Sequence, residues 1–143
     1  MTMTIMRVFA FIMIGFLGLT LHAQEPGVHD EQDKLVVLWT SDDPYLAERV
    51  AFMYTHEAKA SGWYEEVTLI VWGPSAKLLA ENVRIQEMVK DMESDGVVVE
   101  ACITCANDYG VTTGLEELGF VDLKPMGRPL TEYIKSGSYV LTF

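Results

Sequence analysis

Basic residues are scarce in this sequence. Lys and Arg number 10 against 21 Asp and Glu, which gives a formal net charge of −11. Nucleic acids and anionic membrane surfaces select basic patches, because their phosphate groups attract positive charge. The composition therefore argues against nucleic acid as a partner. The acidic residues are scattered among apolar ones, so they predict a soluble folded domain and do not indicate disorder.

Cysteine is scarcer still, and Cys102 and Cys105 are the only two in the chain. A disulfide between them would stabilise little, because it closes almost no loop of the unfolded chain. A bond at this spacing is therefore typical of a redox device more than of a structural cross-link. A lone cysteine would be interpreted as a small core residue. The presence of two cysteines three residues apart favours a functional role over a structural one.

The sequence also lacks an apolar run long enough to cross a bilayer, which takes ~20 residues. Val8–Leu21 is shorter and contains Gly15 and Gly18. Because Arg7 precedes this run and Ala23 comes after it, residues 1–23 are predicted to be a secretory signal peptide. We expect a periplasmic or secreted protein with no stable membrane insertion after cleavage. An uncleaved N-terminal membrane anchor is the alternative.

Beyond the predicted signal, the chain divides into a polar, acidic leader over residues 24–33 and one domain over residues 34–143. Continuous apolar runs in this domain are typical of strands buried on both faces of a parallel sheet. The predicted strands are Lys34–Thr40, Glu66–Trp72, the valine run ending at Cys102, Phe120–Leu123 and Ser138–Phe143. Helical segments separate them, so we expect an α/β fold with a parallel sheet covered on both faces.

Cap and turn residues place the predicted helices. Asp43 is the expected N-cap of the first helix, with Pro44 at its first position. Ser75 is the expected cap of one long amphipathic helix that reaches Ser94. A capping box at Thr113 opens a short helix. The last predicted helix is Leu130–Lys135.

The candidate site is predicted from this layout, because ligands of open α/β sheets lie just beyond the carboxyl ends of the strands. Cys102 and Cys105 are the predicted catalytic thiols, and a helix N-terminus beyond them would favour the thiolate. Arg128 is the cation that we expect near them. The predicted binding residues around the thiols are Thr40, Ser41, Gly73, Ser75, Asn107 and Arg128.

With these residues in view, the sequence resembles the DsrE/DsrF-like family, which includes TusD-type sulfur-relay subunits. The resemblance covers residues 34–143, and four features carry it. They are the Gly73-Pro74-Ser75 turn, the segment from Cys102 to Gly110-Val111, the Pro125-Met126-Gly127 turn and the final apolar strand. The resemblance implies a three-layer α/β/α fold with a five-stranded, mostly parallel sheet. It also implies a homotrimer or homohexamer.

The resemblance further implies a role for each thiol. In sulfur-relay members a cysteine at the end of the third strand carries a persulfide, and Cys102 matches that cysteine. Cys105 matches a position that is often alanine. Sulfurtransferase subunits carry basic residues before the glycine, where this sequence has Asp108-Tyr109. Relay proteins are also cytoplasmic, whereas this sequence predicts export. Both departures speak against sulfur transfer to tRNA.

Three functions compete. The first is a sulfur carrier with a persulfide on Cys102 and with Cys105 as the resolving thiol. The second is an extracytoplasmic thiol–disulfide oxidoreductase, although Ile103-Thr104 between the thiols is unlike a thioredoxin motif. The third is a non-enzymatic oligomeric binding module that holds a soft metal. One CxxC supplies two ligands where a closed zinc site needs about four, so we expect no metal or other cofactor. The sequence names no sulfur donor or acceptor.

Overall fold

The computed structural model describes residues 33–143. The predicted signal peptide and residues 24–32 of the predicted leader lie outside the described residues. Within the described part, one sheet has the strand order β4-β3-β2-β1-β5, and every neighbouring pair is parallel. The strands are β1 Lys34–Trp39, β2 Glu66–Val71, β3 Val98–Cys102, β4 Asp122–Lys124 and β5 Tyr139–Thr142.

Helices cover the two faces of the sheet unequally. They are α1 Pro44–Leu46, a π-helical stretch Ala47–Ala51, α2 Phe52–Ala60, α3 Ser75–Glu81, α4 Val83–Ser94, α5 Ile103–Asp108, α6 Thr112–Glu117 and α7 Gly127–Lys135. The helices before β4 contribute to the larger core on one face. On the other face, Leu130 and Tyr133 of α7 pack against a smaller cluster. The expected three-layer α/β/α fold with a five-stranded parallel sheet is confirmed.

The central strands are apolar because both of their faces are covered. Val37 and Trp39 of β1 point into the larger core, whereas Val36 belongs to the smaller cluster. In β2, Leu69 and Ile70 divide between the two clusters in the same way. Continuous apolar runs are the pattern that such burial requires. This is why the sequence predicted a parallel sheet.

The first helical segment begins as predicted but is not a uniform α-helix. Asp43 Oδ1 accepts hydrogen bonds from the Tyr45 and Leu46 N–H groups at 2.8 and 3.4 Å. Pro44 is the first helical residue. The π-helical stretch Ala47–Ala51 then interrupts the α-helix. Apolar periodicity did not indicate this stretch, because its buried residues, Ala47 and Ala51, remain four apart.

The prediction of one long helix after β2 is wrong, and so is the prediction that Ser75 caps it. The chain breaks at Asn82, whose extended backbone (φ −115°, ψ 105°) ends α3. Asn82 Oδ1 then accepts from the Ile85 N–H and caps α4. The break turns Val83 outward to 66 % exposure, although the sequence pattern placed it on the apolar side.

The boundaries of the elements after α5 also differ from the predicted ones. Helix α6 has Val111 at its N-cap with no side-chain hydrogen bond, so the predicted capping box at Thr113 does not form. Strand β4 lies one to two residues beyond its prediction, and α7 begins at Gly127, before Leu130. Among residues 33–143, no helix is long and apolar enough to cross a membrane.

Candidate functional site

The two thiols lie where β3 becomes α5. Cys102 is the last residue of β3 and the N-cap of α5. The Cys105 N–H donates to Cys102 Sγ at 3.4 Å. Cys102 is only 4 % exposed, whereas Cys105 is half-buried. Cys102 is the more enclosed of the two thiols, because Met126 and its neighbours pack over this end of the sheet.

The surroundings of Cys105 favour the neutral thiol. Burial raises the pKa of Cys105, and a hydrogen bond with the Cys102 side chain raises it further. The negative charge of Asp108 acts in the same direction, whereas a hydrogen bond from the Gly73 backbone lowers the pKa. The effects that raise the pKa of Cys105 outweigh the one that lowers it. The expectation that this edge favours a thiolate is therefore wrong for Cys105, since α5 is short and an acidic residue ends it.

Gly73 and Ser75 both lie at the turn after β2, but only Gly73 contacts a thiol. Gly73 adopts φ +70°, the left-handed region, and its backbone hydrogen bonds to the Cys105 thiol. Ser75 is fully buried and donates to the Trp39 carbonyl at 2.7 Å. Its Oγ also accepts from the Trp72 N–H at 3.0 Å. Gly73 therefore touches the candidate site, whereas Ser75 ties the ends of β1 and β2 to α3.

Three other predicted binding residues form hydrogen bonds with carboxyl-edge segments and not with a thiol. Thr40 Oγ1 donates to the Phe143 carbonyl at 2.9 Å. Ser41 Oγ accepts from the Asp43 N–H at 3.1 Å. Asn107 Oδ1 accepts from the Thr112 hydroxyl at 2.7 Å. None of these bonds involves a cysteine, and their common effect is to hold the carboxyl-edge loops in place.

Arg128 does not direct its charge at the thiols. Its side chain is 88 % exposed and pairs with Glu132 on the same helix at 2.8 Å. The cation beside Cys102 is Lys124, which occupies the paired position on the neighbouring strand β4. Sequence reasoning missed Lys124, because the register between β3 and β4 is needed to see it.

Lys124 is held by two carboxylates on the α7 side of the sheet. Its Nζ lies 2.7 Å from Glu100 Oε1 and 2.8 Å from Asp122 Oδ2. Burial lowers the pKa of Lys124, but these two bonds outweigh it and leave the pKa above its usual value. Tyr133 OH donates to the same Glu100 oxygen at 3.0 Å. The Lys124 amine is therefore charged and paired with two carboxylates, so it does not activate Cys102 in this arrangement.

A cleft of about 510 Å³ opens at the same edge of the sheet. Pro74 and Leu78 form part of its wall beside the Gly73 turn, and Tyr109 at the end of α5 closes another side. Asp42, Lys77, Glu81 and Asn82 complete the lining. Its volume is within the range of ligand sites, about 300–1,000 Å³. Neither thiol lines this cleft; its walls adjoin the thiol pair only through Pro74, which follows Gly73, and through Tyr109 at the end of α5.

The site lacks the ligands of a closed metal centre. Among residues 33–143, no three His, Cys, Asp or Glu side chains come together as metal ligands. The thiol pair would thus supply two ligands where a structural zinc site needs about four. This arrangement gives no support to the soft-metal hypothesis at the CxxC.

Comparisons with known proteins agree with this fold. The sequence profile of the DsrE/DsrF-like family matches residues 33–143. A conserved protein of unknown function from Bacteroides thetaiotaomicron is 34 % identical, with 82 % of this chain and 100 % of that chain covered and a TM-score of 0.76. The ychN protein from E. coli shares the fold at 18 % identity, with 78 % and 99 % covered and a TM-score of 0.60. None of the curated proteins matches the sequence. The chain belongs to the DsrE/DsrF-like family, which is linked to sulfur relay.

Proposed function

We propose that this protein is a sulfur carrier in which Cys102 holds a persulfide and Cys105 is the resolving thiol. The observation that carries the proposal is the proximity of the two side chains. The Cys105 N–H donates to Cys102 Sγ at 3.4 Å, and the Cys105 thiol hydrogen bonds to the Cys102 side chain. A sulfur atom added to Cys102 would therefore be attached within reach of a second thiol.

The chemistry has two steps. In loading, the Cys102 thiolate attacks the outer sulfur of a donor persulfide. The donor S–S bond breaks and the donor leaves as its thiolate, which takes up the proton lost by Cys102. In discharge, the Cys105 thiolate attacks the inner sulfur of the Cys102 persulfide. A Cys102–Cys105 disulfide forms and hydrosulfide leaves. A dithiol reductant then regenerates the free pair.

Burial of Cys102 and the raised pKa of Cys105 both suit a carrier. A persulfide on a sulfur that is 4 % exposed is shielded from stray thiols. Because Cys105 favours the protonated form, it attacks slowly and leaves time for an external acceptor. A general disulfide exchange protein has the opposite requirement, which is a rapid thiolate on the exposed cysteine.

The test compares Cys102→Ser and Cys105→Ser after incubation with a sulfane-sulfur donor. We expect Cys102→Ser to lose loading, because the sulfur that accepts the persulfide is gone. We expect Cys105→Ser to load and to keep its persulfide longer than the wild type does, because the internal disulfide cannot form. Persulfide-specific alkylation with intact-mass analysis measures both, since a persulfide adds one sulfur atom.

The double variant Cys102→Ser/Cys105→Ser gives the background of the assay. Loading that survives in Cys102→Ser and disappears in Cys105→Ser would reverse the two roles. A wild type that shows no added sulfur but forms the disulfide readily would support the oxidoreductase instead.

A further inference from the structure

We infer that a cavity between α2 and α4 is a binding site for a soft monovalent metal ion, Cu(I) or its redox-inert analogue Ag(I). The cavity has a volume of about 330 Å³ and lies on the larger core's side of the sheet. Three methionine side chains line it together with one histidine. They are Met53, Met88, Met92 and His56. The inference does not depend on the role proposed for the thiols.

Helix geometry brings these four side chains to one cavity. Met53 and His56 are three residues apart on α2, and Met88 and Met92 are four apart on α4. Side chains at these spacings share one face of a helix. The burial of the methionines is graded, because Met53 is 64 % exposed and Met92 is 1 % exposed. Thioethers are thus present from the mouth of the cavity to its floor.

The donor types decide which metal fits. Thioether sulfur is a soft ligand that selects Cu(I) over hard cations, and imidazole nitrogen also suits copper. A clustering of His, Cys, Asp and Glu alone does not reveal such a site, because methionine supplies most of the ligands. The exposure of Met53 leaves its thioether accessible from solvent.

His56 has a carboxylate partner, as many metal-binding histidines have. Its Nε2 lies 2.5 Å from Asp95 Oδ2. Metal-binding histidines commonly use one ring nitrogen for a carboxylate, which fixes the ring and leaves the other nitrogen for the metal. Here that arrangement leaves Nδ1 as the metal-binding nitrogen. Asp91 also lines the cavity and contributes negative charge there, whereas the lining residue Glu48 is paired with Arg84 at 2.9 Å.

The experiment uses the full-length chain with Cys102→Ser/Cys105→Ser, because thiolates would otherwise compete for the metal. The protein carries methionine labelled at the methyl carbon and is titrated with silver(I) ions. We expect the methyl signals of Met53, Met88 and Met92 to shift together at one equivalent. The Met126 signal should stay in place, because Met126 is buried beside the thiols. Zinc(II), a harder ion, should shift none of the four signals.

Two variants in that background test the ligands. Met53→Leu/Met88→Leu should weaken silver binding at least about tenfold. Asp95→Asn should weaken it about 10- to 100-fold by freeing the His56 ring. Met126→Leu is the matched control, with unchanged affinity expected. Unchanged affinity in Met53→Leu/Met88→Leu would overturn the inference, and so would shifts confined to methionines outside the cavity.

Discussion

At the scale of single residues, the site is governed by charges that sequence order does not place together. Asp108 lies near enough to raise the pKa of Cys105, and the Gly73 backbone partly opposes it. Lys124 stands beside Cys102 in the sheet, yet Glu100 and Asp122 hold its amine. The second oxygen of Glu100 is buried without a hydrogen-bond partner among the described residues. The surroundings of Cys105 therefore favour its protonated form.

The raised pKa of Cys105 predicts how its reactivity depends on pH. The rate of alkylation by iodoacetamide should rise with a midpoint above that of an ordinary thiol, about 8.5. The Cys105 contribution to stability should fall as pH rises through the ordinary thiol range, because the unfolded chain loses that proton first. Tandem mass spectrometry can assign the alkylated residue at each pH.

Asp108→Asn provides the control for this prediction. The substitution removes a charge that raises the pKa of Cys105, so the midpoint should move to lower pH. A wild-type midpoint below about 8 would show that the thiolate is stabilised and would contradict the electrostatic account.

At the scale of elements, the ends of β1 and β2 are joined through one buried hydroxyl. Ser75 bonds to the Trp39 carbonyl and to the Trp72 N–H, so α3 begins at a fixed distance from both strands. The same turn places Gly73 against Cys105. The geometry of the candidate site thus depends on a residue that does not itself touch a thiol.

Ser75→Ala should destabilise the fold by about 1 kcal/mol, the typical net contribution of a hydrogen bond. The substitution removes the buried hydroxyl's bonds to the Trp39 carbonyl and the Trp72 N–H, whereas these two backbone groups stay bonded to each other at 3.0 Å. Urea unfolding followed by circular dichroism measures the loss. Ser61→Ala is the matched control at an exposed position, where a change within about 0.5 kcal/mol is expected. Equal losses of unfolding free energy in the two variants would show that the buried Ser75 hydrogen bonds do not stabilise the fold.

At the scale of the whole molecule, α7 leaves part of its side of the sheet open to solvent. Val98 on β3 is 50 % exposed and Ile134 on α7 is 58 % exposed. Exposed apolar side chains on one side of a domain are typical of surfaces that associate with other proteins. We propose that copies of this chain bury these residues in a homotrimer or homohexamer.

Light scattering of the chain without residues 1–23, the predicted signal peptide, should therefore give the mass of a trimer or hexamer at micromolar concentration. Ile134→Glu should lower that mass, because a charge in the interface opposes association. Val83→Glu is the matched control, since Val83 is 66 % exposed on α4, on the other side of the sheet. A wild-type mass equal to one chain would refute the assembly.

The sequence by itself determined the five strands, their order along the chain and the start of the first helix. Short apolar runs such as that of β2 are typical of strands buried on both faces, and Asp43-Pro44 is typical of a helix start. The position of Cys102 at a strand end was predictable for the same reason, because it depends on local pattern alone. The π-helical stretch and the break at Asn82 escaped detection, because packing against the sheet decides them and local propensity is weak.

Only the tertiary structure decided what surrounds each sulfur. The pairing of Cys102 with Lys124 requires the register of two strands, and the burial of Cys102 requires Met126 from a distant turn. The cavity of Met53, His56, Met88 and Met92 likewise requires two helices to pack side by side. These are contacts between segments far apart in the chain, and each depends on how the helices pack against the sheet.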